Sequence, residues 1–280
     1  MLGRSLLIKA SGARLLYPGY VQDYLDRVTA ADVGAGNSLG LERGVTDAFS
    51  TCLQNMVSDT SLGVSGGVLA QAASRIKASC FMQGARTLSG ALVPLAADMP
   101  APTNFNFVGG DYNRRTGLGD PTNVSKYLDT NRNNNADNQD SNHLAVYVSS
   151  VGSPGSIFIA SNNQPNVIGH TNVLHGGNGL FFHRSRSAVG TSSGASMVAG
   201  FSGISRNTGT EYIARTASTN FTVSVASDGL ASSPIFVYRR NLEYSSARQA
   251  FYSIGSALDL AIPDARITAL ANAIQAAIAP

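Results

Sequence analysis

Four groups of residues carry side chains at spacings that chemistry could use. Gly190-Thr191-Ser192-Ser193-Gly194 fits the G-x-S-x-G pattern of hydrolase nucleophile elbows, in which a strand, a strained turn and a helix hold the serine hydroxyl outward. Here Ala195 to Gly200 continues as a strand candidate instead of a helix, so Ser192 is expected in a Ser/Gly-rich turn with no catalytic role. Asp129, Asn131, Asn133, Asn135, Asp137 and Asp140 alternate hard oxygen donors in the manner of a calcium loop. The place of the turn glycine holds Asn134, and that of the closing bidentate glutamate holds Asp140. A solvated hairpin loop built on Asx turns is therefore expected, with Asp129, Asn131, Asn133, Asp137 and Asp140 as the calcium candidates. Of His143, His170, His175 and His183 only the middle two are close enough in sequence to share a ligand, and no third donor stands at metal spacing. Hydrogen-bonded strand-end histidines are the expectation. Tyr112, Arg114 and Arg115, set among glycines, are the binding or interface candidates, because a phenol ring and guanidinium groups can stack on a sugar or pin a partner chain. The chain has no Trp, which counts against a lectin-type platform.

The same inventory excludes several function classes. A glycosidase needs two carboxylates on one face, but the acidic residues of the later part, Asp111, Asp120, Asp129, Asp137, Asp140 and Asp228, fall mainly in loops, with Glu211 the main strand exception. No pair can be nominated, no cofactor motif is present, and a non-enzymatic protein with neither cofactor nor resident metal is expected. The net charge of +3 is evenly spread, with eight basic and seven acidic residues before position 100 and twelve and ten after it, so nucleic acid is not expected as a partner. Seventeen of the twenty cations are Arg, a bias toward bidentate contacts that hints at assembly. Cys52 and Cys80 have no CxxC neighbour and are expected as buried thiols. The apolar run Leu6 to Ile8 stops at Lys9, too short for a signal-peptide core, and no run approaches a membrane span. The expectation is a chain made and left in the cytosol unless a larger assembly carries it out.

The elements that must position these residues fall into three stretches. Residues 1–19, with Gly3, Gly12, Pro18 and Gly19, show no sustained period and are expected as an N-terminal arm ordered by a partner. Residues 20–100 are expected to be helical. One helix carries Val21, Tyr24, Leu25 and Val28, a second carries Val45, Phe49, Cys52, Leu53 and Met56, and a third runs from Val68 to Ala78. From residue 101 the texture becomes β-branched and aromatic runs bounded by Gly, Asn, Ser and Pro. Strands are expected over 125–129, 143–149, 156–160, 166–170, 180–184, 196–200, 211–215, 221–225, 235–239 and 250–254. Strands at this spacing with no intervening helix predict a mainly β protein, an antiparallel β-sandwich. After Pro263-Asp264 the stripe Ile267, Leu270, Ala271, Ile274 and Ile278 predicts a closing C-terminal helix.

Three blocks carry a resemblance to a known group: RIKASCFMQGARTLSGALVPL from Arg75, the stretch APTNFNFVGGDYNRRTGLGDPTNVSKYLDTNRNNNADNQDSNHLAVYVSS from Ala101, and FVYRRNLEYSSARQAFYSIGSALDLAIPDARITALANAI from Phe236. In this order they resemble tailed-bacteriophage virion structural proteins with a concanavalin A-like or laminin-G-like jelly-roll domain. The resemblance implies a location in the virion and a tail-associated fibre or adhesin that contacts the host surface. The alternative is a capsid or neck decoration protein that stabilises the particle. The resemblance further implies other virion proteins as partners through the arm and a host surface glycan or receptor as ligand, and it supplies no catalytic residue set. The C-terminal stripe, the arm and the Arg bias predict a homo-oligomer, with a trimer favoured as in phage fibres, and the lack of a long apolar run predicts no membrane insertion.

Overall fold

The computed structural model describes residues 17–59, 62, 69–71, 74–122, 124–161, 179–188 and 190–279 in full and the backbone of 171–175. The N-terminal part supplies α1 (Gly19–Gly34), α2 (Arg43–Ser58), strand β1 (Ile76–Phe81) and the short α3 (Leu88–Ala91). There follow β2 (Thr103–Phe105), β3 (Tyr112–Asn113), β4 (Gly117–Leu118), β5 (Tyr127–Asn133), β6 (Asn142–Ser150), β7 (Ile157–Ser161) and β8 (Thr171–His175). The chain continues through β9 (Leu180–Ser185), β10 (Thr191–Ser196), β11 (Gly200–Arg206), β12 (Tyr212–Thr216), β13 (Thr219–Val223), β14 (Pro234–Val237), β15 (Arg239–Arg240), β16 (Glu243–Tyr244), β17 (Arg248–Gly255) and α4 (Ala261–Ala277).

The strands form an antiparallel β-sandwich, as the sequence predicts. One sheet has the order β13-β12-β11-β6-β17-β4-β3, with β1 also paired to β17, and the other has the order β10-β9-β8-β7-β14-β5-β2. Between them lies a core that includes Leu118, Leu128, Leu144, Val146, Val148, Phe158, Phe181, Ile204, Ile235, Val237 and Tyr252.

A second core lies on the far side of the first sheet, where α1, α2 and α4 cover it. In β6 the alternation of the sequence is kept, but both faces are buried: Leu144, Val146 and Val148 point into the sandwich while Ala145 and Tyr147 point at the helices. Tyr24, Phe49, Phe81 and Phe251 tie helices to sheet, with successive ring centroids 5.4 to 5.8 Å apart. Such edge and offset contacts add to the burial of large apolar area. The register of β17 shifts between Gln249 and Phe251, which lets the adjacent Ala250 and Phe251 both face the helices.

Two expectations are corrected. The helix expected over Val68–Ala78 is absent where described: 69–71 and 74–75 are turn or coil, and Ile76–Phe81 is a strand paired with β17. Its alanine content reads as helical, but Ala78 and Cys80 are small because they lie inside the sandwich. Of the strand expected over 196–200, Ser196 ends β10 and Gly200 opens β11, while 197–199 form the connection between them. The change of texture near residue 100 marks no break in packing, because β1 joins the main sheet and α1 and α2 share a core with α4 and β17. The expected strand 166–170 and the arm over 1–16 lie outside the described residues.

The two predicted helical stripes are buried, and so is that of α4, where Ile267, Leu270, Ala271 and Ile274 are inaccessible. Helix α4 packs on α2 closely enough that a Cβ on Gly44 would stand 2.9 Å from the Ala277 Cβ. No helix among the described residues is long and apolar enough to cross a membrane.

Candidate functional site

The outer face of the first sheet is buried under helices, so the outward face of the second is the one left to meet a partner. Phe105 on β2 and Tyr127 on β5 are direct cross-strand partners. Their rings stack at 4.4 Å with 4° between planes. The Arg239 guanidinium lies over the Tyr127 ring at 4.4 Å and reaches Phe236 at 5.1 Å and Tyr244 at 5.7 Å. Arg239 and Tyr244 face one another across the β15–β16 hairpin. A cation held against several ring faces is an electrostatically favourable and rigid arrangement.

Backbone geometry aims this hairpin. Tyr238, between β14 and β15, sits at φ 72°, a left-handed conformation that a bulky residue adopts only under constraint. The constraint is visible: the Tyr238 hydroxyl donates to the Leu118 carbonyl at 2.6 Å and its N–H donates to the Phe158 carbonyl at 2.9 Å. With Tyr238 drawn inward, Arg239 is left on the outer face. Leu242, at the hairpin tip, is 82% exposed.

Tyr244 also lines a surface depression of about 330 Å³, together with Pro121, Thr122, Val124, Ser153, Pro154, Gly155, Ser156 and Ser246. Its hydroxyls are ordered by one another. The Ser156 and Ser246 Oγ atoms lie 3.3 Å apart, Ser156 Oγ donates to the Ser153 carbonyl at 2.8 Å, and Ser246 Oγ accepts from the Ser153 N–H at 2.8 Å. No charged side chain lines it among the described residues.

Tyr112 and Arg114, the sequence candidates, serve internal contacts instead. The Tyr112 hydroxyl donates to the Ala85 carbonyl at 2.9 Å, and burial raises its pKa. Arg114 grips both oxygens of Glu42, at 2.8 and 2.5 Å, and donates to the carbonyls of Ala85 and Gly84. Arg86 joins the same carboxylate at 2.8 Å. Hydrogen bonding from Arg114 is the largest reason the Glu42 pKa is lowered. Arg115 is half-buried, and its Nε meets no hydrogen-bond partner among the described residues.

The oxygen-rich 129–140 segment does surround a cation, but the cation belongs to the protein. Arg186 is 2% exposed. Its guanidinium donates to the Asp137 carbonyl at 2.9 Å, to the Asn134 side-chain oxygen at 3.3 Å, and to the carbonyls of Asn134 and Asn138. Burial lowers its pKa to about 10, which leaves it charged at neutral pH. The Asp137 carboxylate is taken by Arg132 at 2.7 Å, and Asp129 accepts from the Asn131 N–H at 2.8 Å. The calcium candidates are thus not gathered on one point, and among the described residues no group of three His, Cys, Asp or Glu could hold a metal ion.

Ser192 lies in edge strand β10 opposite Phe182, and its hydroxyl accepts from the Gly194 N–H at 3.2 Å. The surroundings are strand and bulge, without the strand-turn-helix of an elbow. His143 is fully engaged: Nδ1 donates to the Ser256 carbonyl and Nε2 accepts from the Ser253 hydroxyl, both at 2.7 Å. His183 meets the Tyr212 hydroxyl at 3.0 Å. Burial lowers both pKa values to about 4. His170 and the side chain of His175 lie outside the described residues. Cys52 and Cys80 are free and buried, in the two different cores, and burial raises both thiols to about 12.

One carboxylate pair emerges that sequence did not nominate. Lys126 bridges Asp111 and Asp120, each at 2.7 Å, and hydrogen bonding from Lys126 is the main cause that lowers Asp120 to about 2.

No protein-family model matches the chain, and no curated protein matches it in sequence. Solved structures share its architecture. Trypanosoma rangeli sialidase in complex with sialic acid aligns with 81% of this chain and 38% of its own, at 8% identity and a TM-score of 0.51. Domain 4 of AbnA, a GH43 extracellular arabinanase from Geobacillus stearothermophilus, in complex with arabinotriose, aligns with 70% of this chain and 98% of its own, at 12% identity and a TM-score of 0.47. The binding domain of botulinum neurotoxin serotype D aligns with 70% of this chain and 51% of its own, at 12% identity and a TM-score of 0.45. The chain therefore spans about two fifths of the sialidase and half of the toxin chain it matches. At these identities the likeness is one of fold: this chain is an antiparallel β-sandwich with helices packed on one sheet.

Proposed function

We propose that the protein is a non-enzymatic structural component of a tailed-phage virion, a tail-associated fibre or adhesin of the concanavalin A-like or laminin-G-like kind that contacts the host surface. The observation that carries the contacting role is the Phe105–Tyr127–Arg239–Tyr244 stack on the outward face of the second sheet. Aromatic and Arg side chains are the residues that anchor recognition surfaces. The virion setting rests on the three resembling blocks around Arg75, Ala101 and Phe236.

Several observations support a role without catalysis. A general acid needs a raised pKa, whereas Asp120 is lowered to about 2 and shares Lys126 with Asp111. The hydrogen bond of the Ser192 hydroxyl among the described residues is to the Gly194 N–H, not to a base. The buried histidines have bases too weak for proton transfer at neutral pH.

Gold-labelled antibody against the protein, applied to intact particles, tests the location. Label at the tail tip is expected, label over the head would favour the decoration role, and particles without label would overturn the virion assignment. Release of reducing sugar from host polysaccharide by the purified protein would overturn the non-enzymatic reading.

A further inference from the structure

We infer that the depression beside Tyr244 binds one ring of a neutral saccharide, an inference that rests on the host-contact reading and names its ligand class. A ligand for this place must match three features. It needs a flat, weakly polar face to lie on the Tyr244 ring. It needs several hydroxyls, because the wall offers Ser153, Ser156, Ser246 and Thr122 together with the main chain of Gly155. It needs no formal charge, because no charged side chain lines the wall among the described residues. A pyranose meets all three, since its C–H face stacks on an aromatic ring while its edge exchanges hydrogen bonds. An anion would be desolvated here without a counter-charge, and a purely apolar group would add no hydrogen bond to hydroxyls that are already ordered and can accept one more.

The site is also prepared in advance. The Ser153–Ser156–Ser246 bonds fix the hydroxyls before any ligand arrives. Arg239 holds Tyr244 from within the stack, itself tied by its Nε–H to the Asn241 carbonyl. Rigid aromatic and hydroxyl groups lose little freedom on binding. Val124, 79% exposed at the rim, leaves the entrance open.

Saturation-transfer difference NMR on the full chain tests this with methyl glucoside, methyl galactoside, methyl mannoside and N-acetylglucosamine, and with glucuronate as the charged control. Transfer to the ring protons of at least one neutral sugar is expected, and none to glucuronate. Tyr244→Ala should weaken that binding at least tenfold. Val124→Arg, at an exposed position and with its fold checked by circular dichroism, should weaken it at least fivefold, and Leu242→Ala should leave it unchanged. Absence of transfer to every neutral sugar, or equal binding by Val124→Arg, would overturn the inference. Particles that lose adsorption with Tyr244→Ala while the protein binds no sugar would reject the saccharide and leave host contact standing. Sugar binding with unchanged adsorption by that variant would reject host contact and leave the site.

Discussion

Arg186 shows how this chain uses its excess of arginine. Arg206, 0% exposed, donates to the carbonyls of Ser185, Thr208, Glu211 and Val225. Arg248 does the same for Asp111, Gly117 and Gly119. A planar fork with five donors can close several loops at once, which a lysine cannot. Several of the arginines thus serve internal stapling within the chain. If Arg186 is the cation of the 134–138 loop, chelator should leave the melting temperature unchanged. Arg186→Met should lower stability by more than about 3 kcal/mol, because several buried carbonyls lose their donor, and calcium should not restore it. Urea denaturation of the two proteins, with and without calcium, checks both statements. The buried histidines set a second expectation. His143 and His183 have folded pKa values near 4, below the unfolded value of about 6.5, so the unfolded chain binds more protons between those limits. Their contribution is complete above about pH 6.5 and is lost as pH falls toward 4, at about 3 kcal/mol each. Asp120 adds a smaller loss below the ordinary carboxylate value, as pH falls toward its own value of about 2. Urea midpoints measured from pH 7 to pH 4 should therefore decline; a flat profile would contradict the assignment of neutral histidines.

At the level of elements, legibility followed the range of the signal. The stripes of α1, α2 and α4 and the alternation of β6 are local periods, and they predicted the right elements. The strand β1 has no such period, since five of its six residues are buried and its small residues mimic a helix former. Its identity depends on β17, whose paired residues lie 170 to 179 positions away. The site has the same character. Arg114 stood out beside its glycines, but its partner Glu42 lies 72 residues off. The rings that do face outward come from β2, β5 and the β15–β16 hairpin, and only the run Phe236-Val237-Tyr238-Arg239-Arg240, with Tyr244 after it, hinted at them. Close packing of α2 on α4 gives a sharp test. Gly44→Leu should destabilise by about 1–3 kcal/mol through overpacking against Ala277, whereas Gly40→Ala, with open space around it, should be nearly neutral. Thermal melts of the two variants distinguish them.

For the whole molecule, the shared core between helices and sheet predicts one cooperative unit. Residues 101–280 expressed alone lack α1, α2 and β1, and would expose Phe251, Tyr147 and the apolar stripe of α4. Such a large apolar surface promotes association. That fragment should aggregate or melt without a cooperative transition, while the full chain should give a single transition by both calorimetry and circular dichroism. A soluble fragment with a sharp melt would show that the helical layer is dispensable.

The position of β17 in the main sheet also bears on how the chain is made. This strand lies between β6 on one side and β1 and β4 on the other, yet it is encoded at residues 248–255 of 280. Translation delivers the chain from its N-terminus, so β1 and β6 leave the ribosome long before the strand that joins them. Until then both carry open edges, the kind of surface that pairs with the wrong partner. A stop between Ser150 and Arg248 therefore leaves β1 and β6 without the strand that joins them, and such truncations are expected to aggregate through those edges in a solubility assay.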